Sequence, residues 1–164
     1  MALRPILLWP DPRLAEVCAP VTDFDDALRA LSDDMLETMY DAPGRGLAAP
    51  QIGVMSRLFV VDVAWKEAEP EPMVFVNPVL LGTSEEVCSY TEGCLSIPGV
   101  TASVIRPEAV ELRWQGLDGV ERTGRMDGAL ARCIQHELDH LDGLVHFDRL
   151  PPAERAALEA EYAA

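Results

Sequence analysis

Residues 136–140 read His-Glu-Leu-Asp-His, and this short stretch constrains the chain more than any other. At about 100° per residue, two histidines four apart project from one face of a helix, where both imidazoles can grip one ion. Glu137 follows the first histidine, so its carboxylate can reach a metal-bound water without serving as a ligand, a general acid/base position. Leu130, Ile134, Leu138 and Leu141 fall on the face away from the imidazoles. A helix with ligands on one face and apolar side chains on the other is covered on both sides, so the rest of the chain has to wrap it. Paired histidines at this spacing also occur as solvated or core residues, and the intervening glutamate is what favours chemistry. A catalytic metal site typically needs a third protein ligand and an open fourth position.

The candidates for that ligand include four cysteines, Cys18, Cys88, Cys94 and Cys133, with no close C-x-x-C pairing. A lone cysteine is commonly a small buried hydrophobe, and Cys18 and Cys88 are read so. Cys94 differs because it sits beside Gly93 in the stretch Glu92-Gly93-Cys94-Leu95-Ser96, which breaks the surrounding strand pattern. A thiolate there would complete the ligand set.

At 164 residues the chain is expected to be one domain, 1–164, able to bury ~70% of its unfolded surface without disulfides. The apolar run 6–9 is stopped by Pro10-Asp11-Pro12, too short for a membrane span or a secretion signal. A soluble, monomeric protein of the reducing cytoplasm is the expectation. The net charge of −15 argues against nonspecific binding to DNA or RNA, which relies on Lys and Arg neutralising phosphates.

Taken in order, residues 1–22 give a turn, a short helix near 13–17 and a loop, with no function visible. Thr22 or Asp23 is expected to cap a helix to about Tyr40, with Leu28, Leu31, Met35, Leu36 and Met39 at helical spacing facing the core. Gly44-Arg45-Gly46-Leu47-Ala48-Ala49-Pro50-Gln51 follows, a tight loop or part of a site. It is not a phosphate loop, since no strand precedes it and no Lys-Ser/Thr follows. Strands are expected at 57–63, 73–76 with a continuation at 79–81, 86–90, 101–105, 109–114 and 121–126, with a hairpin turn at Leu117-Asp118-Gly119. Asp127 should cap the metal helix and Gly143 end it. Pro151-Pro152 opens a C-terminal helix within 151–164.

Three separated motifs, G-x-G-L-A-A-x-Q at 44–51, E-G-C-L-S at 92–96 and H-E-x-D-H at 136–140, together resemble the peptide deformylases over nearly the whole chain. The resemblance implies an α+β fold in which antiparallel β-sheets wrap a central metal-binding α-helix. It implies that Cys94, His136 and His140 bind one divalent metal, Fe(II) in the cell with Zn, Ni or Co able to replace it. It implies removal of the formyl group from N-formylated nascent peptides. Glu137 would move the proton, and the Gln51 amide with the Leu95 backbone N–H would receive the oxyanion. Gly46 and Gly93 would let substrate lie alongside as an added strand. Glu92 and Cys133 would line the cleft.

Two arginines depart from the family pattern. Arg45, between the motif glycines, and Arg132, four before His136, stand where many members carry aliphatic residues around the methionine side chain. Either their stems wall the pocket, or a guanidinium faces its mouth and favours acidic groups. Residues 136–146 also spell the metzincin pattern H-E-x-x-H-x-x-G-x-x-H, but no methionine follows Met126, so a protease is disfavoured and His146 is read as an ordinary residue after the helix. A noncatalytic relative is disfavoured because every motif residue is present. The 153–164 segment sets Glu154, Glu159 and Glu161 against Arg155, so passage near the ribosome is expected without a basic docking tail.

Overall fold

The computed structural model describes residues 2–164. Its first helix, α1 (Asp26–Asp41), begins where the Asp25 side chain accepts the Leu28 N–H. The start thus lies later than the expected Thr22 or Asp23, because Asp25 is the acceptor placed three residues before an orphan helical donor. Leu28, Met35 and Met39 face inward as expected. The chain then enters β1 (Gly46–Ala48) and a 3-10 turn at Ala49–Ile52, so the glycine-rich motif is a short strand with a tight exit.

Beyond it run β2 (Leu58–Val61), β3 (Met73–Thr83), β4 (Val87–Cys94), β5 (Ile97–Pro107), β6 (Ala109–Gln115) and β7 (Glu121–Asp127). A five-stranded antiparallel sheet has the order β1-β2-β3-β6-β7, and β4 and β5 form a separate hairpin. Asn77, expected to end a strand, sits inside β3 at a register shift with φ 49°. Its side chain bonds both backbone groups of Val21, which holds this left-handed residue in place. Gly93 likewise does not end β4; the register shifts between Gly93 and Cys94 instead, as strand glycines at bulges do.

All four residues of β2 are buried, and their alternation assigns them to two cores. Leu58 and Val60 pack with Leu28, Met35 and Met39 of α1. Phe59 and Val61 pack with Ala131, Ile134, Leu138 and Leu141. The second set belongs to α2 (Gly128–Leu141), so the sheet lies between α1 and the helix of the histidines. Each fully buried Val, Leu, Ile, Met or Phe side chain among these stabilises the fold by about 1.5–3 kcal/mol.

Helix α2 is buried along most of its length, with residues 134–141 all sequestered. Its C-terminal carbonyls are satisfied from outside: the Cys18 N–H and Arg57 Nη1 both donate to Leu141 O. Gly143 then turns the chain at φ 78°, where an added Cβ would meet Ala15 O at 2.7 Å. A last helix, α3 (Pro152–Ala163), has no fully buried residue. The antiparallel sheets around a central helix match the expected α+β class. Among the described residues, no helix is long and apolar enough to cross a membrane.

Candidate active site

The imidazoles come from α2 and the thiol from the end of β4. Cys94 Sγ lies 3.4 Å from His140 Nε2, and the ligand atoms of Cys94, His136 and His140 all fall within 4.8 Å of one another, in buried positions. One sulfur and one imidazole nitrogen on a common tetrahedral zinc would stand about 3.5 Å apart, from ordinary Zn–S and Zn–N lengths. The donor set and its spacing therefore fit a divalent transition-metal ion. The three convergent ligand atoms are those the sequence singled out, and His146 is not among them.

A charged network stands behind the histidines. His136 Nδ1 is 2.9 Å from Glu92 Oε1, and Arg106 donates to both Glu92 oxygens, at 2.5 and 3.0 Å. Arg106 also reaches Asp139 at 2.9 Å, and Asp139 receives two further bonds from Arg149 at 3.0 and 2.6 Å. Two carboxylates and two guanidiniums alternate, so a set of largely buried charges is paired throughout. Burial works to raise the Glu92 pKa, but the bonds from His136 and Arg106 outweigh it and hold the carboxyl at about 2. Glu92 is among the residues lining the cavity, yet its carboxylate is turned to these partners.

Glu137 is 3% exposed and has an oxygen, Oε1, with no hydrogen-bond partner among the described residues. Burial lifts its carboxyl to about 7, against the opposing pull of His136. Of the two imidazoles, His136 is the more basic: burial opposes its charge, but Glu137, Cys94 and Glu92 surround it with acceptors. His140 is pushed down by burial and then by His136. Gly46 touches this acid directly. A Cβ there would lie 2.6 Å from Glu137 Oε2 and 2.8 Å from Cys133 Sγ, so only glycine leaves the carboxylate where it is.

Gln51 is oriented from three sides. Its Oε1 accepts the Ala48 N–H at 2.9 Å, and its Nε2 donates to Ser96 Oγ at 3.0 Å with Cys94 Sγ 3.8 Å away. The amide hydrogens are thereby aimed at the thiol side of the cleft. Leu95 follows Cys94 at the tip of the β4–β5 hairpin.

These groups share a cavity of about 810 Å³ whose walls include Gly44–Gly46, the 90–95 stretch of β4 and the site face of α2. The cavity runs between two sheet edges, since among the described residues β1 pairs only with β2 and β4 only with β5. Both unusual arginines line it. Arg45 Nη2 lies 3.5 Å from Glu67 at an exposed position. The Arg132 guanidinium carbon lies 3.1 Å from the centre of the Tyr90 ring, a cation–π contact, and its Nη1 is buried without a partner among the described residues.

Several members of this arrangement escaped the sequence. Arg106 carried a signal, because period two along β5 puts it on the inward row with Val100, Ala102 and Val104, and a charge on such a row needs a partner. Ser96 was seen in its motif without a role. His146, read as an ordinary residue after the helix, is buried: the Gly143 turn folds it back to 1% exposure, with its ring 6.0 Å from that of His136 and neither nitrogen bonded among the described residues. Burial first, and then His136, lower its pKa to about 4.

Comparison with known proteins agrees with this geometry. Residues 3–156 match the family model described as polypeptide deformylase. A peptide deformylase of Zymomonas mobilis is 50% identical, with 96% of this chain and 92% of that protein covered. One from Novosphingobium aromaticivorans is 47% identical over 94% and 93%. Among solved structures, a peptide deformylase from Legionella pneumophila superposes with a TM-score of 0.91 at 41% identity, covering 99% of this chain and 94% of that one. One from Synechococcus elongatus in complex with actinonin gives 0.92 at 39% identity, covering 96% and 86%. The chain belongs to the polypeptide deformylase family.

Proposed function

We propose that this enzyme removes the formyl group from the N-terminal formylmethionine of new polypeptides, with Cys94, His136 and His140 holding one divalent metal. The observation that carries the assignment of roles is the convergence of those three ligand atoms beside a buried Glu137 whose pKa stands at about 7. A general base poised near the working pH combines an available unprotonated form with useful basicity. A divalent metal held by these residues would supply Lewis acidity and lower the pKa of water toward neutrality.

Glu137 takes the proton of the attacking water and returns it to the leaving amine. Gln51, aimed by Ala48 and Ser96, donates its amide to the oxygen that gains charge, together with the Leu95 N–H. One such donor is typically worth ~3–4 kcal/mol of barrier. Gly46 and Gly93 let the substrate backbone approach both edges of the cavity. Glu92 acts through His136, because its own oxygens are engaged. Cys133 lines the pocket for the first side chain. Fe(II) is the metal we assign in the cell, and Zn, Ni or Co suits the same sulfur and nitrogen donors.

The enzyme meets its substrates in the cytoplasm near the ribosome, without electrostatic attachment through α3. Arg155, the basic residue of that helix, is already paired with Asp148 and Glu159. Anaerobic assay of the iron-loaded protein on a formyl-methionyl peptide tests the main reading. Absence of turnover at full metal occupancy would place the chain among noncatalytic relatives.

A second reading rests on Arg132 Nη1, a buried cavity-wall donor without a partner among the described residues. It favours a shifted preference in which an acidic group near the formylated residue meets Arg132. Arg45, held by Glu67, contributes its stem. A panel of formyl peptides varying the first two side chains tests this. An unchanged ranking of kcat/KM in Arg45→Ile/Arg132→Ile would leave both arginines as pocket walls only.

A further inference from the structure

The Leu95 side chain packs against the core under α1, but the backbone of the hairpin tip that carries Cys94, Leu95 and Ser96 is held from elsewhere, by segments near the two ends of the described chain. Leu7 N–H donates to Gln51 O at 2.7 Å, and Trp9 N–H donates to Ser96 O at 2.9 Å. Two backbone bonds from one three-residue stretch thus hold the two segments assigned to the oxyanion. These segments also meet directly, through Gln51 Nε2 and Ser96 Oγ.

Trp9 is in turn held by α3. Tyr162 O–H donates to Trp9 O at 2.9 Å, and the Tyr162 ring meets the Trp9 ring edge-on at 6.0 Å. On its other side Trp9 packs edge-on against Phe147 at 5.2 Å. Trp9, Leu158 and Tyr162 cover the apolar cluster formed by Cys94, Ile97, Val100, Val145 and Phe147. A continuous path therefore runs from the last turn of the last helix, through Trp9, to Ser96 and Gln51.

We infer that Trp9 and Tyr162 are positioning residues for catalysis: α3, acting through Trp9, fixes the hairpin tip so that the Leu95 N–H and the Gln51 amide stay aimed at the same point. This rests on the roles proposed above for Gln51 and Leu95. The physical reason is that preorganised donors work only when their geometry is set before reaction. The Leu95 donor belongs to a hairpin tip, which its own two strands do not immobilise. Because α3 has no fully buried residue of its own, its hold on the tip depends on a few contacts, and those are the ones just named.

The test uses the metal-loaded full chain and a formyl-methionyl peptide, with kcat normalised to bound metal. Trp9→Ala and Tyr162→Ala are expected to lower kcat about tenfold, since displacements near 1 Å in a reacting geometry cost up to a hundredfold, while KM changes less than twofold. Tyr162→Phe, which keeps the ring and loses only the bond to Trp9 O, is expected to fall between wild type and Tyr162→Ala. Val110→Ala, in the core beneath β6 and in a cluster that does not include Leu95, Trp9 or Tyr162, serves as a comparison with a similar loss of melting temperature and is expected to retain kcat. Equal kcat losses in Val110→Ala and Tyr162→Ala, or no loss in Tyr162→Ala, would overturn the inference. Amide hydrogen exchange across residues 94–97 provides a readout independent of turnover. It should accelerate in Tyr162→Ala, and unchanged exchange there would also overturn the inference. If wild type itself fails to turn over while exchange still responds to Tyr162→Ala, the assignment of the reaction fails and the coupling of α3 to the tip stands.

Discussion

His136 Nδ1 and Glu92 Oε1 stand 2.9 Å apart, which fixes the imidazole plane and leaves Nε2 as its remaining ligand atom. The carboxylate is held in turn by Arg106. Glu92→Ala is expected to weaken metal binding about 10–100-fold, the usual effect of losing a partner that orients a ligand. Competition with a chromophoric chelator measures it. Unaltered affinity would mean that packing alone holds the ring.

Gly46→Ala places a methyl group against both Glu137 Oε2 and Cys133 Sγ. Because Glu137 is 3% exposed, its carboxylate has little room to yield. Turnover should fall by about a hundredfold, in line with a misplaced catalytic group, with metal content preserved. Steady-state kinetics and metal analysis on one preparation check both halves.

Glu137→Ala is expected to keep the metal and lose kcat by about 10²–10⁴-fold, the usual contribution of a positioned acid or base. Near-normal kcat would remove Glu137 from the proton path.

Cys94→Ser should strip the metal or sharply weaken its binding, whereas His146→Ala should leave it bound, as the ligand geometry requires. Metal analysis after gel filtration separates the two outcomes. Loss of metal in His146→Ala alone would reverse the ligand assignment.

The same buried His146 offers a stability prediction. Neither ring nitrogen has a partner among the described residues, and an unbonded buried polar atom costs about 1–3 kcal/mol. His146→Phe keeps a ring beside Phe147 and removes both polar atoms. It is expected to stabilise the protein by about 1 kcal/mol or more, read as a higher urea midpoint; a lower midpoint would show that solvent or an unseen partner satisfies the ring.

The central helix was legible because its spacing carries its own mechanism, and the β6–β7 hairpin was legible because alternation and turn residues are local signals; the tip of the β4–β5 hairpin was not, since it lies in the 91–100 stretch where the alternation is broken. The start of α1 was less so: Thr22, Asp23 and Asp25 can all accept a helical N–H, and only the fold shows that Asp25 does. Arg106 and Asp139 lie 33 residues apart in sequence, and no local pattern announces that pairing. The arm at Leu7 and Trp9 was illegible for a different reason. Its contacts to Gln51 and Ser96 are made by backbone groups, which every residue possesses, so no side chain there advertises them.

The edge strand β1 is only three residues long and runs at once into a 3-10 turn containing Pro50. At about 3.3 Å per residue, such an edge offers roughly 10 Å of pairing. On the proposed reading, a peptide added there would be gripped over its first few residues and then released to solvent, whatever follows. The brevity of β1 would then make it a ruler: it would confine recognition to the front of a polypeptide, so a single catalyst could serve chains that share nothing beyond how they begin.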